Sequence, residues 1–518
     1  MDRFQAVSPL DFRYYGGEQS LFSRLMPFVC EEASIRYQAR AEAALVETFA
    51  DLDLCSRGVA NEVSKAAGNI SASRVYELDE SLHHTSRALV EAISEKVSPE
   101  ARRFVHLFAT SFDILDTANA LRYQELAREV LIPDVAALVS TLGQMARRHA
   151  GTVQIGRTHG MHAEPITFGL FLAAYVSRLA NRALAIEAAR QNLRGKLSGA
   201  VGAHSALALR FQKSPHLVER LFLARLGLLP SDAYTSTQIV EPEFMTDFAH
   251  GITSAFSVLA NLADDMRHLH RSEIGEVTEP RGKTGVGSST MPHKTNPKSF
   301  ENIKSLYKAF MPRMITQYLD QTSEHQRDLT NSASGRFTVE LVVAFDYAVV
   351  RMHKTLETLV IDEARLKANL EAAKRYITAE PLYIMLSLIG VPDAYQKAKE
   401  LASGARERRL TVLELARQHE SLSHALAAMS AENLQILEDP ARYIGDAPAR
   451  VHATCDHWEA KMSALLEYLK KEKHALRKPH VRWLKKLAQT IADAEASKIT
   501  PEQTISCTRR EMIEEWLA

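Results

Sequence analysis

The sequence predicts an all-α fold, and two observations carry that prediction: turn-forming residues are scarce, and long windows show the helical period. Only 22 Gly and 18 Pro occur in 518 residues, below the ordinary usage of about 7% and about 5%. An all-β chain of this size needs many turns, whereas long helices need few. A domain usually spans about 100 to 200 residues, so the length points to about three domains and a core that needs no covalent staples.

In chain order, residues 1–128 read as an N-terminal helical region. The Ile132-Pro133 step closes it, because the residue before proline avoids the helical conformation. From Pro133 to Ala150 the apolar residues Val135, Leu138, Val139, Leu142 and Met145 form one stripe. Asp134 near its start and Arg147, Arg148 and His149 near its end suit the helix dipole, and Gly151 is the expected stop. Between Phe168 and Leu193, the apolar residues Phe168, Leu170, Phe171, Leu172, Tyr175, Val176 and Leu179 predict a helix buried on more than one side. A further window places Phe244, Phe248, Ile252, Phe256, Leu259, Leu262, Met266 and Leu269 at steps of three and four. At a rise of 1.5 Å per residue this helix is about 40 Å long. Together these windows predict a central long-helix bundle over residues 129–389. Gly390-Val391-Pro392 then opens a C-terminal helical region, residues 390–518, with an extra tail from about residue 455. The tail carries a basic run from Lys470 to Lys486 in which Glu472 is the only acid, and a solvated helix face is the default reading of such a run.

Composition narrows the function. With 63 Lys+Arg against 63 Asp+Glu the formal net charge is zero, which argues against gripping a nucleic-acid backbone. Cys30, Cys55, Cys455 and Cys507 are scattered without metal-ligand spacing, which fits a reducing compartment and predicts no metal site. MDRFQAVSPL has no apolar signal region, and no run approaches about 18 consecutive apolar residues. The expectation is a soluble, cytoplasmic protein with neither nucleic acid nor membrane as partner.

One segment departs from the helical pattern: residues 281–302, RGKTGVGSSTMPHKTNPKSFEN. Gly282, Gly285 and Gly287 stand close to Pro292 and Pro297. Its hydroxyls, the Lys294 cation and the Asn296 amide could surround an anionic ligand as the loop closes. GSSTMPHKTNPKSFEN resembles the signature loop of the fumarase/aspartase superfamily, in which GSS-x-MP-x-K-x-N precedes a Glu. From about Arg13 to about residue 450 the chain is most similar, within that superfamily, to the adenylosuccinate lyase family.

The resemblance implies a three-domain all-α fold whose middle domains form a twenty-helix core in a homotetramer, each active site drawing on three subunits. No cofactor and no metal are implied. VSPLDFRYYGG matches the family's phosphate-binding N-terminal segment and gives Arg13 and Tyr14. An E-x-x-H turn from Glu80 gives His83, and HLFATSFDILDTANAL gives His106, Thr110 and Ser111. GRTHGMHAEPITFG gives His159, TSTQ gives Gln238, and QRDLTNSASGR gives Arg327, Ser332 and Arg336. Phe112, His84, Asn331 and Gly335 depart from the family pattern and bear on the choice of substrate.

The implied reaction is β-elimination of fumarate from a succinyl group on a nucleotide nitrogen, with adenylosuccinate or the succinyl-aminoimidazole-carboxamide ribotide as the small-molecule substrate. A proton leaves carbon beside a carboxylate, so negative charge must be stabilised where it develops. Lys294, Asn296, Thr110 and Ser111 suit that role, with Ser289 and Met291 as further substrate contacts. The resemblance makes Ser288 the base, which requires nearby cations or N–H groups and exclusion of water. The acid must titrate near neutrality, which suits His159, and the resemblance sets Glu301 beside it. A dianionic phosphate calls for arginine forks, supplied by Arg13, Arg327 and Arg336. The alternative is argininosuccinate lyase or a lyase of another succinyl compound, which would not need Arg13, Tyr14, Arg327 and Ser332. An inactive structural relative would not need Ser288, His159, Lys294 and Glu301 together.

Overall fold

The computed structural model describes residues 5–231, 235–280, 290–477, 481–496 and 509–517. Helices dominate, and the strands among the described residues make three two-stranded sheets. No described helix is long and apolar enough to cross a membrane.

The expected long helices span Ile132–Arg148, Phe168–Gln191 and Pro242–Leu269, and Thr338–Thr358 packs beside them. Each start has a local cause. Thr167 caps the second helix by accepting a hydrogen bond from the Leu170 N–H at 3.1 Å. Pro242 opens the third, where its missing N–H leaves no vacancy in the ladder. With 28 residues the third helix is about 42 Å long. Leu138, Leu142, Leu172, Phe248, Phe256 and Phe345 are fully buried in one cluster that reaches from Leu10 to Trp516. The first two helices meet so closely that a Cβ on Gly169 would lie 2.4 Å from the Ala146 carbonyl oxygen. Only glycine fits there.

Three features differ from the sequence expectations. The Ile132-Pro133 step does not interrupt the chain's helical path: helix Ser111–Leu126 continues through a π-helical turn, Ala127–Leu131, into Ile132–Arg148. The wider turn, in which Ile132 N–H reaches the Ala127 carbonyl, lets Pro133 enter at the first turn of the next helix. That helix ends at Arg148 with His149 as its C-cap, so Gly151 lies beyond the stop. Residues 390–518 also do not share one core. Residues between Leu382 and Leu437 form their own cluster, while Val451, Trp458, Leu469, Ile491 and Trp516 join the main one. Helix Ala447–Arg477 lies against Ile132–Arg148 and Phe168–Gln191.

The tail's basic run is therefore more than a solvated face. Lys470 and Lys471 are exposed, but Lys473 reaches Glu129 at 2.6 Å. Glu472, the lone acid, is fully buried between Arg190 and Arg509.

Candidate functional site

His159 sits at the tip of a hairpin made by β1, Val153–Thr158, and β2, Met161–Thr167. His159 and Gly160 form the two-residue turn with φ of 53° and 76°. Two consecutive positive φ values match the twist of a tight hairpin, and Gly160 supplies the second at no steric cost. His159 is exposed. The hairpin's base is held by Glu276, whose carboxylate is buried and accepts from Gln154 at 2.7 Å, from both terminal nitrogens of Arg157 at 3.1 and 2.6 Å, and from Asn369 at 2.7 Å.

A second group gathers at the N-terminus of helix Ser111–Leu126. Thr110 and Asp113 close a capping box, with Thr110 N–H donating to Asp113 at 2.8 Å. Asp113 also accepts from Lys196 and from the Gly199 N–H; both members of the Asp113–Lys196 pair are fully buried. The backbone N–H and carbonyl of Lys196 bond to the Thr117 hydroxyl, and Ser198 meets Ser236 hydroxyl to hydroxyl at 2.6 Å. Gln238 N–H then donates to the Gln326 carbonyl at 3.2 Å, bringing Gln238 beside Arg327. All three nitrogens of the Arg327 guanidinium are buried and lack a hydrogen-bond partner among the described residues. Burial pushes Asp116 up to about 6, against the lowering influences of the Val240 N–H, Lys196 and Arg327.

His106 borders this group in a left-handed conformation, φ 62°. Glu42 accepts from its backbone N–H at 3.1 Å and meets Nδ1 at 2.6 Å. Burial disfavours the charged ring, but the hydrogen bond and charge of Glu42 outweigh it and hold the His106 pKa above its ordinary value.

Arg13, Tyr14 and Glu301 meet in a third place, a cavity of about 500 Å³ completed by Lys298, Asn302, Tyr347 and Arg351. Asn302 donates to the Tyr14 hydroxyl at 3.3 Å, and the Tyr14 ring stands edge-on to Tyr347. Earlier in the same segment, Met291 and Lys294 are exposed and Asn296 is half-buried. The chain before residue 281 is clasped to the second half of the 281–302 segment: Glu279 N–H donates to His270 Nδ1 at 3.3 Å, so Nε2 carries the proton toward the Thr295 carbonyl at 3.2 Å. Glu279 in turn accepts from the Ser299 N–H and hydroxyl.

The contacts sort the predicted residues into groups. His106, Thr110 and Ser111 stand at the start of helix Ser111–Leu126, to which Val240 and Arg327 are linked through Asp116 and Gln238 through Gln326; Arg13, Tyr14 and Glu301 line one cavity; His159 stands on its hairpin. Among the described residues no ion pair or hydrogen bond joins His159 to Glu301. Ser288 and Ser289 lie outside the described residues. His83, exposed, ends helix Ala72–Leu82 with φ 50°. Arg336 donates to the Ser332 carbonyl at 3.0 Å, and both are exposed. His84 accepts from the Arg87 N–H and caps the following helix. Sequence reasoning missed Glu42, Lys196, Asp113, Glu276 and His270, which hold the predicted residues from beneath. Gly199 and Gly202, both with positive φ, were the available signal for the 196–204 segment.

Residues 17–310 match the family model described as lyase, and residues 323–444 match the model described as adenylosuccinate lyase C-terminal. Adenylosuccinate lyase of Pyrococcus horikoshii is 34% identical over 460 residues, covering 88% of this chain and 98% of that one. The Bacillus subtilis adenylosuccinate lyase is 28% identical over 398 residues, covering 76% and 90%. The 3-carboxy-cis,cis-muconate lactonizing enzyme of Pseudomonas putida is similar in structure, with a TM-score of 0.74 at 25% identity over 88% of this chain and 100% of that one. A fumarate lyase from Mesorhizobium sp. BNC1 shares the fold, with a TM-score of 0.73 at 23% identity over 84% and 97%. Over nearly the full length of these relatives, the chain belongs to the adenylosuccinate lyase family.

Proposed function

We propose that this chain eliminates fumarate from adenylosuccinate, giving AMP, and from the succinyl-aminoimidazole-carboxamide ribotide. Beyond family membership, the observation that carries the reading is Arg327, a guanidinium buried without a protein partner among the described residues and set beside Gln238. A buried cation calls for an anion, and the planar fork suits a phosphate. Arg13 and Tyr14 then make a second phosphate contact, with Ser332 and Arg336 nearby in the chain. A succinyl compound without a phosphate would leave these groups idle.

In this reading Ser288 removes the proton from the carbon beside the succinyl carboxylate. Lys294, Asn296, Thr110 and Ser111 stabilise the charge that builds on that carboxylate. His159 protonates the departing nitrogen, and Glu301 orients and charges the imidazole. His83, His106, Ser289 and Met291 complete the substrate contacts. No step calls for a metal or cofactor. Among the described residues no hydrogen bond or ion pair joins His159 to Glu301 or to the His106 group, and with the family resemblance we infer a homotetramer in which each site combines residues of several copies; a cytoplasmic location suits such a substrate.

Incubation with adenylosuccinate, followed by fumarate and AMP release, tests the reaction, with argininosuccinate as control. Turnover of the control alone would reject the reading in favour of the sister lyase. Mixing inactive His159→Ala and Ser111→Ala chains tests the sharing: recovered activity requires sites built from both, whereas none would count against shared sites.

A further inference from the structure

Glu42 lies on helix Glu31–Asp51, 64 residues from His106, and nothing in its own sequence context marks it. Its side chain is 1% exposed, yet it carries a carboxylate in the main core. One oxygen accepts from the His106 N–H at 3.1 Å and the other meets Nδ1 at 2.6 Å. The same group thereby fixes a left-handed backbone and a ring orientation. With Nδ1 committed, Nε2 is the edge left for a ligand, and the ring remains 20% exposed.

We propose that Glu42 is a positioning residue of the reaction, holding His106 so that its Nε2–H faces an anionic oxygen of the substrate. The proposal rests on the reading of His106 as a substrate contact. A charged ring donates a stronger hydrogen bond to an anion than a neutral one. The surroundings favour that form on balance: Glu42 and Asp113, on helix Ser111–Leu126, raise the affinity for the proton, while burial and Arg87, on helix Thr85–Ser94, oppose it. The raised pKa means that the imidazolium survives to higher pH than in a free histidine and is lost as pH rises through the folded-state value. A buried carboxylate that served packing alone would need no such geometry, since an amide fills the same space.

Glu42→Gln separates the two roles, because the amide keeps the shape and an acceptor oxygen but removes the charge. Histidine NMR titration of the free enzyme reads the pair without substrate. The expected result is that His106 titrates at lower pH in the variant. In parallel, kcat/KM for adenylosuccinate should fall by about tenfold or more at pH 8, the scale of a hydrogen bond to a charged group, with a smaller deficit at pH 6 and partial recovery in Glu42→Asp. An unchanged His106 titration, or a deficit that does not vary with pH, overturns the proposal. If the variant fails to fold, the wild-type nitrogen signals decide: His106 should hold its second ring proton to higher pH than an ordinary histidine, and a ring that loses it at or below the ordinary pH overturns the proposal. Wild-type enzyme inert toward adenylosuccinate would instead sink the assigned reaction, while the substrate-free titration still judges the pair.

Discussion

Replacing Glu472 by Ala tests what the tail does for the fold. Glu472 is fully buried; one oxygen pairs with Arg509 and the other lies 2.9 Å from Arg190. The consequences for its two partners differ. Arg190 keeps Glu187, which accepts from two of its nitrogens at 2.7 Å each. Among the described residues Arg509 keeps only the Gly227 carbonyl, at 2.7 Å. Removing one member of a buried ion pair costs about 3–5 kcal/mol, because the remaining charge has lost its compensation. The loss should fall on helix Arg509–Leu517, whose Met512, Ile513 and Trp516 are held in the main core beside that pair. A chain of this size need not unfold in one step, so a global midpoint is the wrong measurement. Hydrogen exchange of peptides covering residues 509–517 is the right one. At about 1.4 kcal/mol per power of ten, protection should drop by about a hundredfold or more. The double variant Glu472→Met/Arg509→Met removes both charges and fills the space, so it should lose less protection than Glu472→Ala alone. A single variant that changes protection less than about threefold, or a double variant worse than the single, would refute the clasp.

Three further outcomes follow from specific contacts. Gly169→Ala would drive a methyl into the Ala146 and His149 carbonyls, at 2.4 and 2.7 Å, and should destabilise by about 1–3 kcal/mol or more in denaturant titrations; Gly151→Ala, with open space around it, is the control that should change little. Glu164 is pushed up to about 7, first by its hydrogen bond with Glu380, then by burial and the charge of Glu380, while Tyr443 donates to Glu380 at 3.3 Å. An acid with a raised folded-state pKa stabilises below its unfolded value and loses that contribution as pH rises through about 7. Exchange protection of residues 153–167 should therefore fall between pH 5 and 8 in the wild type, a window set around that value, and stay flat in Glu164→Gln. Glu276→Gln leaves Arg157 without its buried carboxylate; if the hairpin then shifts by about 1 Å, kcat should fall by up to about a hundredfold with little change in KM, and an unchanged kcat would remove the bracing role.

The division between what could and could not be read from the sequence has a physical cause. Long helices were legible because Phe248, Phe256 and Leu262 repeat at the spacing that one buried face requires, and helix Pro242–Leu269 answers that pattern nearly to the residue. The hairpin escaped because the helical period dominates its surroundings, and only the His159-Gly160 turn distinguishes a strand pair of this length. The tail escaped for a different reason: whether Glu472 faces solvent or Arg190 depends on a helix almost 300 positions away in the chain, which no local pattern encodes.

The same distinction separates the residues proposed to meet substrate from the residues that hold them. His159, Lys294, Arg327 and Gln238 could be proposed because each sits in a short motif that resembles one of the family's. Glu42, Asp113, Lys196 and Glu276 were not, because an acid or a lysine in a helical chain reads as solvated surface. Their burial reverses that meaning. A carboxylate taken from water must be matched by donors, and the donors here are the backbone of His106, the N-terminus that carries Thr110, and Arg157 of the His159 hairpin itself. Each buried acid is thus stable only while the segment above it keeps its shape. Loosening that segment would strip the acid of its donors, so the free-energy penalty of the buried charge becomes resistance to movement at the site.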